Sequence, residues 1–563
     1  MLRRLLGTET EYAIRFSPEP GVDHPGNEVL FSAIQEAVGS LVCTRPGQGL
    51  LDTMRHRVFT ENGGSLYYEF MPRSPEGGLV EAGTPECRTP AQLLCYQRAQ
   101  DRLLRTATHQ AQHALARRGI DGQLALLKNC RDAQGNVYGA QENYEAILCS
   151  GPGRLLWALA VCAALPLALL AALIHLGLII SVLSLVVPLL FVGVFALAMS
   201  GHEDAVERCM RWFDWIGWIE RPIATALYFP AVVWMAGAVR ALAFRPYRRG
   251  ALGFLVSRCV VTGAGTLGDD GQLVLSEKAL AIRRLTRCTV DPDDRGLLEV
   301  GHLMKPLGAL AWLDWRSVVA LFRPRQRLQL GLSDANLCDV AELLKIGTTA
   351  LVLDLVEAGQ LDDAPVPADP VAACHAIARD PTLRRAIPLR GGGHATALQL
   401  QRFYQRRAEA WLAQTDTISI DAHGIVTRWG WVLDQLESDP DALFGHLDWI
   451  TKAKLLDEAS ELEPAMRKKI DLRYHELGSG YHAWLDEAGL CPRLVADAEI
   501  ERATRQPPPD TPASQRGRLI RSLSKAGTDA AVSWSTIKTG GKIIHLDEAR
   551  RRRSAPSDEP NEP

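Results

Sequence analysis

The chain has 563 residues, 47% hydrophobic and 23% charged, which suffices for a large core and more than one domain and excludes a disordered protein. A net charge of −3 and a pI near 6.6 remove any global electrostatic case for nucleic acid as a partner. Twelve cysteines without a CxxC pair give no zinc-ribbon or thioredoxin-like motif and read as free thiols in a reducing compartment.

The first predicted element is a strand over Leu2–Ile14. Arg3 and Arg4 precede no apolar stretch of the kind a cleaved signal needs. Glu9 and Glu11, two apart on an extended segment, project from the same face. Such a pair is either a solvated sheet face or a metal site, and the next segments bear on the choice. Ser65–Phe70 again alternates, with Tyr67 and Glu69 on one side and Leu66, Tyr68 and Phe70 on the other. Glu81–Glu86 adds further carboxylates, and clustered hard oxygen donors are what Mg²⁺ with nucleotide phosphates requires. His109 and His113 stand at helical spacing without the rest of a zinc-protease motif and read as helix surface.

Four segments in order, GTETEY (7–12), ENGGSLYYE (61–69), EAGTPE (81–86) and KNCRDAQGNVYGAQENY (128–144), resemble the motifs of the Pup ligase and depupylase family. The resemblance implies an α+β fold: a glutamine-synthetase-like antiparallel sheet with flanking helices and a small C-terminal domain. It also implies ATP and Mg²⁺ as cofactors, and as partner a small Pup-like modifier that is attached to or removed from lysine side chains.

From Leu155 to Ala198 the chain is apolar with essentially one interruption, His175, about twice the roughly 20 residues that one membrane crossing needs. The expectation is a hairpin of helices near 155–174 and 177–199, turning at His175-Leu176-Gly177. An interfacial segment over 203–218 follows, carrying Trp212, Trp215 and Trp218. The stretch Ile223–Phe244, with Pro230 and Arg240, is expected to be re-entrant, interfacial or packed on the body, because family motifs on both sides of the insert require an even number of crossings. Arginines outside the hairpin predict a catalytic body in the cytoplasm, at the cytoplasmic membrane.

After the insert, Leu252–Arg258 and Thr262–Gly265 resume the family pattern, which lapses between about 289 and 325 and returns at Arg327-Leu328-Gln329. Leu343–Leu355 reads as a buried helix with Gly347 permitting close packing. Its wording GTTALVLDL, with ARDP (378–381) and WVLDQL (431–436), is closer to the depupylase branch. Gly391-Gly392-Gly393 reads as a turn and not a phosphate loop, since no Lys-Ser/Thr follows. Gln506-Pro507-Pro508-Pro509 separates the C-terminal unit. The expected organisation is 1–150 and 251–505 as two parts of the main domain, 151–250 as the insert, 506–549 as the small domain and 550–563 as a disordered tail.

Carried over by motif, Glu9, Tyr67 and Glu81 match metal-site positions, Thr84 and Trp534 match nucleotide contacts, and Glu69 matches the catalytic aspartate. The chain departs from the pattern in four places. Glu69 is one methylene longer than aspartate, Ser65 replaces an arginine, residues 71–78 lengthen the spacing before Glu81, and Gln141 replaces a histidine. Arg73 is a candidate to replace the lost guanidinium. Two classes of function follow. One is an ATP-dependent enzyme on the amide or isopeptide bond of the modifier, with hydrolysis expected ahead of ligation. The other is a weakly catalytic, membrane-tethered binder of the same modifier.

Overall fold

The computed structural model describes residues 4–71, 77–128, 136–198, 226–268, 270–287, 295–308, 315–415 and 420–546, together with 2, 131 and 223. A ten-stranded sheet forms the frame. Its strands are β1 (Leu6–Pro18), β2 (Thr44–Pro46), β3 (Val58–Thr60), β4 (Ser65–Phe70), β5 (Gly78–Gly83), β6 (Gly122–Leu127), β7 (Ala140–Ile147), β8 (Arg284–Arg287), β9 (Gly296–Glu299) and β10 (Arg325–Ser333). The order is β8-β9-β10-β7-β1-β5-β4-β3-β2, with β6 pairing the second half of β1. Every pairing is antiparallel except β8 with β9.

The period-2 pattern of β1 decides which side faces what. Leu6, Thr8, Thr10 and Tyr12 are buried, whereas Glu9 and Glu11 are only partly so. The buried side meets α1 (Asn27–Leu41) and α2 (Pro90–Ala116), whose Phe31, Ile34, Leu104 and Ala107 pack on Tyr12, Leu66, Tyr68 and Val80. Each such large side chain removed from water contributes roughly 1.5–3 kcal/mol. Thr89 caps α2 by accepting from the Gln92 N–H at 3.2 Å. The opposite side of β1, β4 and β5 holds the carboxylates.

β1 begins later and ends later than its sequence pattern predicts. Residues before Leu6 are diverted: the Leu2 N–H donates to Asp354 at 2.7 Å, and Arg4 pairs with Asp354 and Glu357. Beyond Ile14 the strand continues because β6 supplies new partners, Arg15 opposite Ala125 and Phe16 opposite Leu124.

The insert differs from expectation. Pro152–Ala198 is one continuous helix, α3, about 70 Å long at 1.5 Å per residue, with no turn at His175–Gly177. Gly177 lies within the helix, where it costs only about 1 kcal/mol relative to alanine. The returning element is instead α4 (Ala226–Ala243), which ends in a π-helical turn over Val239–Ala243. It runs back along α3, with Trp234 Nε1 donating to the Ala160 carbonyl at 2.8 Å and Tyr228 set edge-on to His175. The 203–218 segment lies outside the described residues.

The second half of the body is helical. Its helices include α5 (Gly301–Gly308), α6 (Asp339–Glu357), α7 (Ile420–Ser438), α8 (Asp448–Glu458), α9 (Pro464–Tyr474) and α10 (Tyr481–Glu487). α6 is buried along nearly its whole length, as its apolar spacing predicts. A Cβ at Gly347 would stand 2.6 Å from Ile425 Cδ1, so glycine is what lets α6 and α7 close. Beneath them the fully buried Arg258 bonds Glu142 with both nitrogens, and also Thr349 and Ser333. Losing one partner of such a pair costs about 3–5 kcal/mol.

The C-terminal unit is α11 (Pro512–Lys525) followed by β11 (Ala530–Val532), β12 (Thr536–Thr539) and β13 (Lys542–His545). It is fastened to the main sheet: the Gln48 N–H donates to the Val532 carbonyl at 3.0 Å, and buried Arg516 reaches the Gly63 carbonyl and Glu86. The tail 550–563 is outside the described residues.

Candidate functional site

Strand register places the site residues in ranks across β1, β5 and β4. Glu9 lies opposite Gly83, which lies opposite Ser65. One step along, Glu11 faces Glu81 and Glu81 faces Tyr67; a further step sets Leu79 beside Glu69. Residues opposite one another point to the same side, so Glu9, Glu11, Tyr67, Glu69 and Glu81 share one face.

Their mutual electrostatics agree with the convergence. Burial, then Glu11, Glu9 and Glu69, push Glu81 well above the usual carboxylate range. Burial raises Glu69 as well, opposed by Arg55, whose Nη1 stands 2.9 Å from it. The Tyr67 hydroxyl, hydrogen-bonded to Glu81, is pushed up by burial and by the charges of Glu81 and Glu9. This all-oxygen donor set fits a hard divalent cation, which would relieve the repulsion concentrated on Glu81.

Cations rim the face. Arg327 approaches Glu9 at 2.8 Å and Lys278 approaches Glu11 at 3.6 Å. Arg57 stacks on the Tyr67 ring at 3.9 Å. The Gly139 N–H donates to Glu11 at 2.7 Å, and Asn143 bridges Arg327 and Glu9. From α5, Lys305 is held below its usual range by burial and by Arg327, and His302 is held down to about 3 by burial. This rim suits a polyanion lying over the carboxylates.

Trp534 comes from the C-terminal unit to the Gly83 end of the same face. A Cβ at Gly83 would lie 3.3 Å from its Cζ2 and 3.2 Å from Ser65 Oγ. The ring is also set edge-on to Phe59 and lies under the Arg516 guanidinium at 4.7 Å. Thr84 sits beside this group but is turned elsewhere: its hydroxyl accepts from the Thr8 N–H at 3.0 Å and donates to the Thr8 carbonyl, strapping β5 to β1. Arg73 lies outside the described residues.

Sequence reasoning did not assign Arg55, Arg57, Lys278, His302, Lys305 or Arg327 to the site. Arg55 and Arg57 precede β3, and no local pattern marks them. They reach Tyr67 and Glu69 because β3 pairs with β4. Arg327 stood in a matched segment, without a pattern giving it a role.

A family model described as "Pup-ligase protein" matches residues 4–538. The Pup--protein ligase of Corynebacterium diphtheriae is 25% identical over 570 residues, covering 97% of this chain and 92% of its own. That of Acidimicrobium ferrooxidans is 26% identical over 493 residues, covering 85% and 83%. Among solved structures, the complex between prokaryotic ubiquitin-like protein Pup and its ligase PafA superposes with a TM-score of 0.65 at 20% identity, covering 97% of this chain and 89% of that one. The Pup ligase PafA in complex with ADP gives 0.60 at 20% identity, covering 88% and 90%. These ligase relatives overturn the expectation of a depupylase-branch hydrolase. The misleading wording GTTALVLDL and WVLDQL lies on α6 and α7, where Leu351, Leu353, Val432 and Leu433 are core residues. It therefore reports packing and not the direction of a reaction.

Proposed function

The chain belongs to the Pup-ligase protein family, and from that premise we propose that it is an ATP- and Mg²⁺-dependent ligase joining Pup, or a Pup-like modifier, to lysine side chains. The observation that carries this is the single face on which Glu9, Glu11, Glu69 and Glu81 converge beneath a rim of arginine and lysine.

In the reaction, the terminal phosphoryl of ATP passes to the modifier's C-terminal glutamate side chain, giving an acyl phosphate and ADP. The lysine amine then attacks the acyl carbon, the isopeptide C–N bond forms and phosphate leaves. Glu9, Glu81 and Tyr67 would hold magnesium, which supplies charge neutralisation for the phosphates. Glu69 takes the proton that the amine must lose: burial raises its affinity for a proton, and Arg55 keeps it ionised beforehand. Arg55, Arg57 and Arg327 supply the guanidinium charge that Ser65 lacks. Trp534 offers a ring for the base at the Gly83 end.

The body is anchored in the cytoplasmic membrane through α3 and α4 and faces the cytoplasm. Two helices, Pro152–Leu178 and Ala226–Ala243, are long and apolar enough to cross, and they expose Leu156, Leu159, Leu170, Leu173, Phe229 and Val233. Such a surface suits lipid better than water. Near the body the same helices turn inward, Trp157 Nε1 donating to the Leu321 carbonyl and Val161 packing in the main core.

The test is conjugation by full-length protein supplied with Mg-ATP, Pup ending in glutamate and a lysine-bearing acceptor, followed by mass spectrometry. A new isopeptide with matching ADP supports the proposal, and Pup released from a preformed conjugate without conjugation refutes it.

A further inference from the structure

We propose that the arginines gathered where α4 meets the body form a binding site for the phosphate headgroup of an anionic membrane phospholipid, so that a specific contact, besides the two long helices, holds the body against the bilayer. The site rests on the membrane reading of α3 and α4 given above.

Arg240, Arg245, Arg248, Arg249 and Arg390 line one cavity of about 310 Å³. None of the five guanidiniums is paired with a carboxylate among the described residues, whereas Arg4, Arg98, Arg258 and Arg516 elsewhere in the chain all are. Arg248 Nη1 donates to the Arg240 carbonyl at 3.3 Å, and its Nε is buried without a hydrogen-bond partner among the described residues. Burial, then Arg240 and Arg390, hold Arg248 below its usual range, as like charges without a counter-ion do. Such a cluster calls for an anion, and the planar fork of arginine matches phosphate oxygens two at a time.

The position of the cavity selects the source of that phosphate. α4 spans Ala226–Ala243, about 27 Å at 1.5 Å per residue, close to the roughly 30 Å of a bilayer's hydrocarbon core. Its exposed Phe229, Val233 and Trp234 give way to Arg240 about 9 Å further along the axis, at the end that joins the body. There the π-helical turn over Val239–Ala243, and Pro246 in the short helix Arg245–Gly250, interrupt the α-helical path, and Arg248 reaches back to Arg240 across the interruption. Arg390 arrives from far downstream. It stands in the turn between the paired strands Ile387–Pro388 and His394–Ala395, before Gly391, Gly392 and Gly393, whose φ angles of 79–103° are ones that glycine takes readily. A basic pocket at the cytoplasmic end of a membrane helix is where an anionic headgroup binds.

The experiment purifies the full-length chain in detergent, offers it equal amounts of phosphatidylglycerol and phosphatidylcholine, and counts the retained lipid by native mass spectrometry. The expected result is a preference for phosphatidylglycerol of at least about tenfold that weakens in high salt. Combining Arg240→Gln, Arg249→Gln and Arg390→Gln, all at exposed positions, should remove the preference. Combining Arg117→Gln, Arg384→Gln and Lys469→Gln, which takes the same charge from other exposed positions, should leave it. The wild-type preference is itself a readout that needs no variant to fold. Inorganic phosphate titrated into the same protein separates the two sources: lipid that stays bound in excess phosphate supports a headgroup site, and phosphate that displaces it at equal concentration overturns one. Equal retention of both lipids, or a preference that survives the first set of substitutions, also overturns the proposal. If the wild type meanwhile resists carbonate extraction, only the headgroup site has failed; release by carbonate would instead remove the membrane reading beneath it.

Discussion

Glu69 carries the sharpest prediction at the scale of single residues. Glu69→Gln keeps the shape but removes the proton acceptor, so conjugation should fall by about 10² or more while nucleotide affinity changes little. Steady-state rates and nucleotide titration check this together. Glu81 gives a pH prediction. Burial and the neighbouring carboxylates raise its pKa in the protein without metal, and a cation favours the ionised form. Mg-ATP binding should therefore take up no proton but release one, and affinity should rise as pH rises through that pKa. Calorimetry in buffers of different ionisation enthalpy measures the release, which Glu81→Gln should abolish. The carboxylates were legible because period-2 spacing on three segments marks one face. The guanidiniums were not, because Arg55 and Arg57 lie outside any periodic element and are brought in only by the β3–β4 pairing.

Among elements, the C-terminal sheet completes the site from some 450 residues away by delivering Trp534. Trp534→Ala removes the ring's stacking surface and its packing on Phe59. Nucleotide affinity should drop by about tenfold, at about 1–1.5 kcal/mol for an aromatic contact, with the melting temperature also lowered. Fluorescence titration with ADP checks the first effect. The buried helix α6 was readable because its apolar spacing is uninterrupted. The hairpin expected at His175–Gly177 failed because glycine and histidine do not by themselves end a helix whose flanks are leucine- and alanine-rich. The chain returns through α4, whose Trp234 and Tyr228 meet α3 at positions no local pattern connects.

For the whole molecule, the proposed anchoring through α3 and α4 gives two crossings, an even number that would keep both halves of the sheet on one side of the membrane. Carbonate extraction should leave the protein in the membrane fraction, and a reporter inserted at Gly201 should read as outside while a C-terminal one reads as cytoplasmic. Release by carbonate would sink the membrane assignment. Reaction direction was the least legible property, because two of the segments that suggested hydrolysis, GTTALVLDL and WVLDQL, are core packing on α6 and α7. The measurement that bears most directly on the account is conjugation by the full-length chain in membranes or detergent, with Mg-ATP, Pup and an acceptor protein, followed for wild type and Glu69→Gln. The expected result is an isopeptide between Pup and an acceptor lysine, formed with one ADP per bond by the wild type and about a hundredfold slower in the variant. Wild-type conjugation that survives Glu69→Gln unchanged, or hydrolysis of the isopeptide with no conjugation, would contradict it.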